Sequence, residues 1–298
     1  MFAEFLTCFE RVEKQEYNEF LEYIPLAYKY GKISADMAKA ILQTQMDTEF
    51  YNSMIGRSIN TRPGDYTSLC KFHTPETYVE RQSLQDGPAV RSYVEKCKPI
   101  YLSWCHDLIQ KSDIIFECFR DRLTLFYINR RPIDIIYEWI RKDFGNRVGT
   151  DPTEMQYLID FDGQQVPELA FGWEQEYLDM NAVERIIRMI HTSFGRNLEK
   201  LLSTPNSSQV IVVNFEDLVT ETETTISGIS KILQLKRLRS MDATLVREQC
   251  PRVLGDEEYE KRRAEICGKV SDRSLGYLSE LDEFYNNIRA LSGMGTVN

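Results

Sequence analysis

The fold turns on the stretch LTLFYINRRPIDIIYEW, residues Leu123 to Trp139. A short apolar run, LTLFYIN, ends in two arginines, Arg130 and Arg131. Pro132 follows at a position suited to the first turn of a helix. Asp134 then stands where a first-turn carboxylate meets free N–H groups, and apolar residues recur at helical spacing through Trp139. The reading is a buried strand from Leu123 to Asn129 feeding straight into a helix from about Ile133 to Phe144.

Two further runs share this character. KPIYLSW, Lys98 to Trp104, reads as a strand that leads to Cys105 and His106. QVIVVN, Gln209 to Asn214, is apolar throughout its middle and leads into FEDLVTETETTISGISKIL, a turn and then a helix. Helical patterns lie between and beyond them, over Gln110 to Arg120, Asn181 to Leu202 and Asp256 to Arg289. Short, wholly apolar strands alternating with helices predict an α/β fold, a parallel sheet with helices on both faces. In such sheets ligands sit beyond the carboxyl ends of the strands. On this reading His106 and Arg130 share the carboxyl edge of one parallel sheet.

Residues 1 to 55 read as a helical N-terminal part, with Gly31 as a stop and Ser34 as an N-cap. Residues 56 to 90, rich in Gly, Pro, Asn, Asp and Thr, read as a long ordered loop region with a short helix after Thr74. Residues 145 to 180 read as irregular. The whole chain, 1 to 298, is expected to form one domain.

Composition bounds the function. The chain has 298 residues, 42% hydrophobic and 28% charged, with a net charge of −10. That is ordinary globular usage. The negative balance argues against a general nucleic-acid binder but not against a local basic pocket for a small anion. Seven cysteines, an odd number without CxxC spacing, read as free thiols of a reducing compartment. No apolar run approaches a membrane span, and the acidic start of the chain resembles neither a secretory signal nor a transit peptide. The expected location is cytoplasmic, and no membrane span or nucleic-acid partner is expected.

Site candidates follow from chemistry. Arg130 and Arg131 offer rigid forks of donors suited to phosphate, beside a helix start. Of the three histidines (73, 106 and 191), only His106 follows a strand candidate, and a neutral imidazole can take a hydroxyl proton. His191 reads as a structural face residue, whereas His73 is ambiguous. Glu216 and Asp217 read as capping acids. No His/Cys/Asp/Glu spacing suggests a metal.

Three segments together resemble the sulfotransferase family: Trp104-Cys105-His106, Arg130 to Glu138, and VIVVNFEDL at Val210 to Leu218 with ISKILQL beyond it. The resemblance spans roughly residues 95 to 290, closing helices included. It implies a P-loop-like α/β fold with a helical N-terminal extension. It also implies transfer of a sulfuryl group from 3'-phosphoadenosine 5'-phosphosulfate to a hydroxyl or amine, without a metal. By position, His106 would be the general base, Arg130 would bind the donor's 3'-phosphate and Asp134 would brace that loop. Glu138 occupies the place of a phosphate-binding Ser, and Trp104 that of a Lys. The family's phosphosulfate loop is not found; its nearest candidate, Ile55 to Ser68, follows a helix pattern rather than a strand. Arg57, Arg62 or Lys71 would have to supply a substitute cradle, and donor binding is expected to be weak or absent. The chain reads as though it began just downstream of that loop. The alternative is a non-catalytic binding or scaffold protein on the same fold. The acceptor, whether small molecule, sugar or peptide, and the oligomeric state are not legible.

Overall fold

The computed structural model describes residues 1–85, 87–151 and 157–292. Helices α1 (Phe2–Leu6), α2 (Phe20–Lys29), α3 (Ala35–Met54), α4 (Pro75–Arg81), α5 (Pro88–Cys97) and α6 (Asp113–Phe119) fill the first part of the chain. Strands β1 (Glu16–Tyr17) and β2 (Ser103–Trp104) lie among them. Then come β3 (Leu125–Asn129), α7 (Pro132–Arg141), α8 (Phe144–Arg147), β4 (Leu158–Phe161), β5 (Gln164–Pro167), α9 (Glu174–Asp179) and α10 (Ala182–Ser203). Strand β6 (Val210–Asn214) precedes α11 (Phe215–Thr220), α12 (Thr222–Leu233), α13 (Ser240–Arg247), α14 (Asp256–Cys267) and α15 (Asp272–Leu291). The architecture is α/β in the broad sense. Helix dominates, with short parallel strand pairs.

The described residues form two compact units. One comprises Met1–Thr124 with Glu221–Arg252, the other Leu125–Thr220 with the chain from Val253 onward.

In the first unit α2, α3 and α6 pack on Leu21, Leu42, Met46, Ile114 and Ile115. Ser34 caps α3 by accepting the Met37 N–H, and Gly31, at φ +66°, follows the end of α2 as its sequence position predicts. The parallel pair β1–β2 aligns Glu16 with Ser103 and Tyr17 with Trp104. Residues 11–16, polar apart from Val12, fall within the stretch expected to be helical. They run instead beside the 100–104 segment: Ile100 N–H donates to Arg11 O, and the N–H groups of Glu13 and Glu16 donate to Ile100 O and Leu102 O.

That edge is fastened by buried polar side chains. Glu13 holds Arg81 through both carboxylate oxygens, at 2.7 and 2.9 Å, and accepts the Tyr78 hydroxyl at 2.6 Å. Lys14 Nζ donates to Thr67 O at 2.8 Å, and Gln15 Nε2 donates to Glu4 at 2.7 Å and to Tyr66 O at 3.1 Å. Asn60 closes a turn by donating to Asp65 and Thr67 and accepting the Arg62 N–H. These bonds account for the order of a long loop that lacks a large apolar content.

In the second unit β3 and β6 pair in parallel, from Leu125–Val210 to Asn129–Asn214. Each strand runs directly into a helix, α7 or α11. Helices α10 and α15 pack together through Ile186, Ile190, Phe194, Leu278, Leu281 and Ile288, all buried. A hairpin, β4–β5, occupies the region expected to be irregular.

The pairs β1–β2 and β3–β6 are parallel as expected, but the described residues form no continuous sheet. Among the described residues there are three separate two-stranded sheets. Strand β2 pairs with β1 and strand β3 with β6, so the expectation that His106 and Arg130 flank one sheet is corrected. The physical reason is that the N-terminal segment 11–17 takes up the hydrogen-bonding edge of the 100–104 run.

His191, on α10, is buried where α10 meets α15. Its Nδ1 accepts from Arg188 at 2.8 Å, and its Nε2–H donates to Glu280 at 2.6 Å. Only a neutral ring satisfies both. Burial, with the Arg188 charge, holds its pKa below the ordinary value against the pull of Glu280 and Glu176. A depressed histidine pKa gives stability that is complete above the unfolded value of ~6.5 and is lost as pH falls below it. Thermal melts followed by circular dichroism should therefore show stability falling from pH 7.5 to 5.5. His191→Phe should flatten that slope and itself cost about 1–3 kcal/mol, because it strands Arg188 and Glu280. An unchanged slope in the variant would refute the assignment.

Candidate functional site

Strand β3 delivers Arg130 and Arg131 to the start of α7. The Arg130 guanidinium lies 4.9 Å from the Phe215 ring centre, so a ring rather than a carboxylate supports it. Its Nε is buried and finds no hydrogen-bond partner among the described residues. A half-buried cation in that state is incomplete, because buried donors are ordinarily paired. Arg131 is differently employed. Its backbone N–H donates to Glu216 at 2.9 Å, and its guanidinium stacks on Tyr259 at 5.0 Å and reaches Asp256 at 3.5 Å.

Glu216 is buried and also accepts the Tyr285 hydroxyl at 2.9 Å. It pins the strand-to-helix loop, a larger part than the capping role expected of it. Asp217 pairs with Arg289 and accepts from Asn214 at 3.0 Å. Asn214 in turn accepts from Asn129 at 3.2 Å, which ties together the carboxyl ends of the two strands.

The Asp134 backbone N–H donates to Arg131 O at 3.1 Å, but its carboxylate is not the arginine brace expected of it. It faces Arg262 of α14 at 2.8 Å, and Arg262 covers Tyr137 at 4.8 Å. The loop brace is Glu216 instead. Glu138, expected beside the donor's phosphate, is half-exposed and pairs with Arg141 one turn on, at 3.4 Å. A surface pair of this kind contributes little.

In the first unit, β2 leads to His106. The ring is 68% exposed while its partner, Glu22 of α2, is 5% exposed. His106 Nδ1 lies 2.9 Å from Glu22 Oε1, and the His106 backbone N–H donates to the same oxygen. The ring stands edge-on to Trp104 at 5.6 Å and beside Tyr17 at 5.9 Å. The hydrogen bond that His106 donates to Glu22 raises the His106 pKa above the ordinary value, although partial desolvation of the ring opposes it. Burial would raise the Glu22 carboxyl, but the ring and backbone N–H of His106 outweigh it and hold it below the usual range. Burial also pushes the neighbouring Cys105 thiol up to about 12, so a cysteine nucleophile beside this histidine is disfavoured. The arrangement is an imidazole oriented by a carboxylate, with Nε2 left for a proton.

The substitute cradle considered for the phosphosulfate loop is occupied by its own contacts. Arg62 pairs with Asp65 at 3.6 Å, and Lys71 donates to Gly64 O and covers the Tyr66 ring. The segment follows α3 rather than a strand. His73 Nδ1 is buried without a partner among the described residues, and burial lowers its pKa.

Sequence reasoning missed Glu22 and gave Glu216 only a capping role. Glu22 lies in a helix 84 positions from His106, and no local pattern marks it. Glu216 was visible as an acid directly after a buried strand, but its target, the Arg131 N–H, follows only from the β3–β6 pairing. No helix among the described residues is long and apolar enough to cross a membrane. No protein family, no curated protein and no solved structure matches the chain.

Proposed function

We propose that the protein is a sulfotransferase of P-loop-like α/β architecture that moves a sulfuryl group from 3'-phosphoadenosine 5'-phosphosulfate to a hydroxyl acceptor in the cytoplasm. The observation that carries this reading is Arg130: a half-buried guanidinium at the carboxyl end of a parallel strand, with a buried Nε that no described residue satisfies. A phosphate oxygen would complete it with a charge-assisted hydrogen bond. The resemblance of the β3–α7 and β6–α11 segments to the family supplies the donor's identity, and it is the resemblance alone that gives His106 the part of the base.

The chemistry balances simply. The acceptor hydroxyl gives its proton to His106 Nε2 as its oxygen bonds to sulfur. The bond from sulfur to the phosphate oxygen breaks, and 3'-phosphoadenosine 5'-phosphate leaves with the electron pair. Charge spreads over the sulfuryl oxygens, so positioning and cationic donors do most of the catalytic work. No metal enters this scheme.

The second reading, a non-catalytic binding protein on the same fold, is favoured by one observation. The Ile55–Ser68 segment, nearest in sequence to the phosphosulfate loop, has no strand before it, and Arg62 and Lys71 are engaged within it.

Calorimetric titration with 3'-phosphoadenosine 5'-phosphate tests the donor site. Weak, salt-sensitive binding is expected, and Arg130→Ala should weaken it by about 1.5–3 kcal/mol, the contribution of one charged hydrogen-bonding contact. Glu138→Ser should leave it nearly unchanged. Binding that is insensitive to Arg130→Ala would remove the basis of the proposal.

A further inference from the structure

We infer that Glu22 is a positioning residue. It fixes the tautomer and orientation of the His106 ring so that the bare Nε2, not Nδ1, faces the acceptor. This rests on the reading of His106 as the base and adds to it a second residue, from a different helix.

The geometry is specific. One buried carboxylate oxygen receives both the backbone N–H of His106 and a bond from its ring Nδ1. A carboxylate can only accept, so Nδ1 must carry hydrogen. In the neutral ring the single proton is then on Nδ1, and Nε2 keeps its lone pair. The Tyr17 hydroxyl also bonds to Glu22, and Glu22 with burial pushes that phenol up, so it stays a donor. Glu22 thus gathers three donors from β1 and from the residues after β2. Its own helix is anchored where Asn18 accepts the Phe20 N–H at 3.0 Å. The Trp104 and Tyr17 rings limit rotation of the imidazole from two sides. The other charges acting on His106 are Asp107, which favours its protonation, and Lys111, which opposes it. Neither replaces the direct bond.

The arrangement also explains why a ring so exposed can hold one orientation. An exposed imidazole without a partner samples rotamers and prefers hydrogen on Nε2, the tautomer that is useless as a base at that atom.

Nitrogen-15 NMR of the full chain, labelled at histidine, tests this without any activity. The His106 signals are assigned by their loss in His106→Gln. The wild-type ring should be the Nδ1–H tautomer when neutral, and its titration midpoint should lie above the ordinary ~6.5. Glu22→Gln keeps an acceptor oxygen but removes the charge. It should preserve the tautomer while the midpoint falls to about 6.5 or below. Glu22→Ala should in addition move the neutral-ring proton to Nε2. A wild-type Nε2–H tautomer, or an unmoved midpoint in Glu22→Gln, would overturn the assignment. A merely structural role for Glu22 would lower thermal stability and leave the midpoint of the isosteric Glu22→Gln variant in place. Should the NMR results hold while His106→Ala keeps full transferase activity, the base reading fails and the positioning contact stands.

Discussion

Glu13→Ala is expected to lower the free energy of unfolding by roughly 3–5 kcal/mol, the range for removing one partner of a buried ion pair. Glu13 and Arg81 are 8% and 5% exposed, and the pair is bidentate. Arg81 also donates to Tyr93 at 3.0 Å and lies against the Tyr78 and Tyr93 rings. Burial works against its charged form, and Glu13 outweighs that, so the Arg81 pKa is raised overall. Without Glu13 the guanidinium stays charged with no counter-ion, and the Tyr78 hydroxyl loses its acceptor. The double variant Glu13→Leu/Arg81→Met should recover much of the loss, because the cost is the unpaired charge rather than the absent pair. Denaturant unfolding of the wild type and these two variants measures this. A loss under about 1 kcal/mol for Glu13→Ala would mean that the site admits water.

His106→Ala should lower turnover by roughly 10²–10⁴-fold, the usual contribution of a positioned general base. Binding of 3'-phosphoadenosine 5'-phosphate should be nearly unaffected, in contrast to Arg130→Ala. The pH dependence has a definite sign. The base acts when neutral, and Glu22 raises its pKa, so activity should rise with pH through a limb above the ordinary ~6.5. In Glu22→Gln that limb should move to lower pH. Rates measured across pH 5.5 to 8.5 for the three proteins check it. A His106→Ala enzyme with an unchanged profile would exclude the histidine.

Much of the second unit was legible in the sequence. LTLFYIN and QVIVVN are rich in β-forming residues, apolar through their middles and bounded by polar residues, and they form the paired β3 and β6. Asn181 caps α10 by accepting the N–H groups of Val183 and Glu184, as its position before an apolar periodic run implies. The β4–β5 hairpin could have been read as well. Asp162 and Gly163 sit at its tip with φ of 50° and 79°, and an Asp-Gly pair between two short runs is a strong hairpin signal. The Gly- and Pro-rich surroundings hid it.

The first unit was less legible for a physical reason. Its edge segment, Arg11 to Tyr17, has no alternation of apolar residues and is held by buried charges. Glu13, Lys14 and Gln15 are all buried, against the ordinary preference of such residues. Thr67, Tyr66, Tyr78 and Arg81, which hold them to the rest of the unit, lie some 50 to 70 positions away, so no local window shows them. The same distance problem concealed Glu22, the residue on which the geometry of His106 depends. The arginine pair shows the opposite case. Its place at a strand's end is legible in the seventeen residues from Leu123 to Trp139, but only the packing separates Arg130, with its unsatisfied Nε, from Arg131, whose groups are already taken.

The most direct measurement of the central claim is transfer itself. The chain is incubated with saturating sulfur-35-labelled 3'-phosphoadenosine 5'-phosphosulfate and, in separate reactions, sugar, phenol and peptide hydroxyl acceptors. Label on the acceptors is then counted for wild type, His106→Ala and Arg130→Ala. The account predicts label on at least one acceptor class with the wild type, strongly reduced in both variants. Label on none of the three classes, with the donor demonstrably bound, would contradict it and leave a binding protein in place of an enzyme.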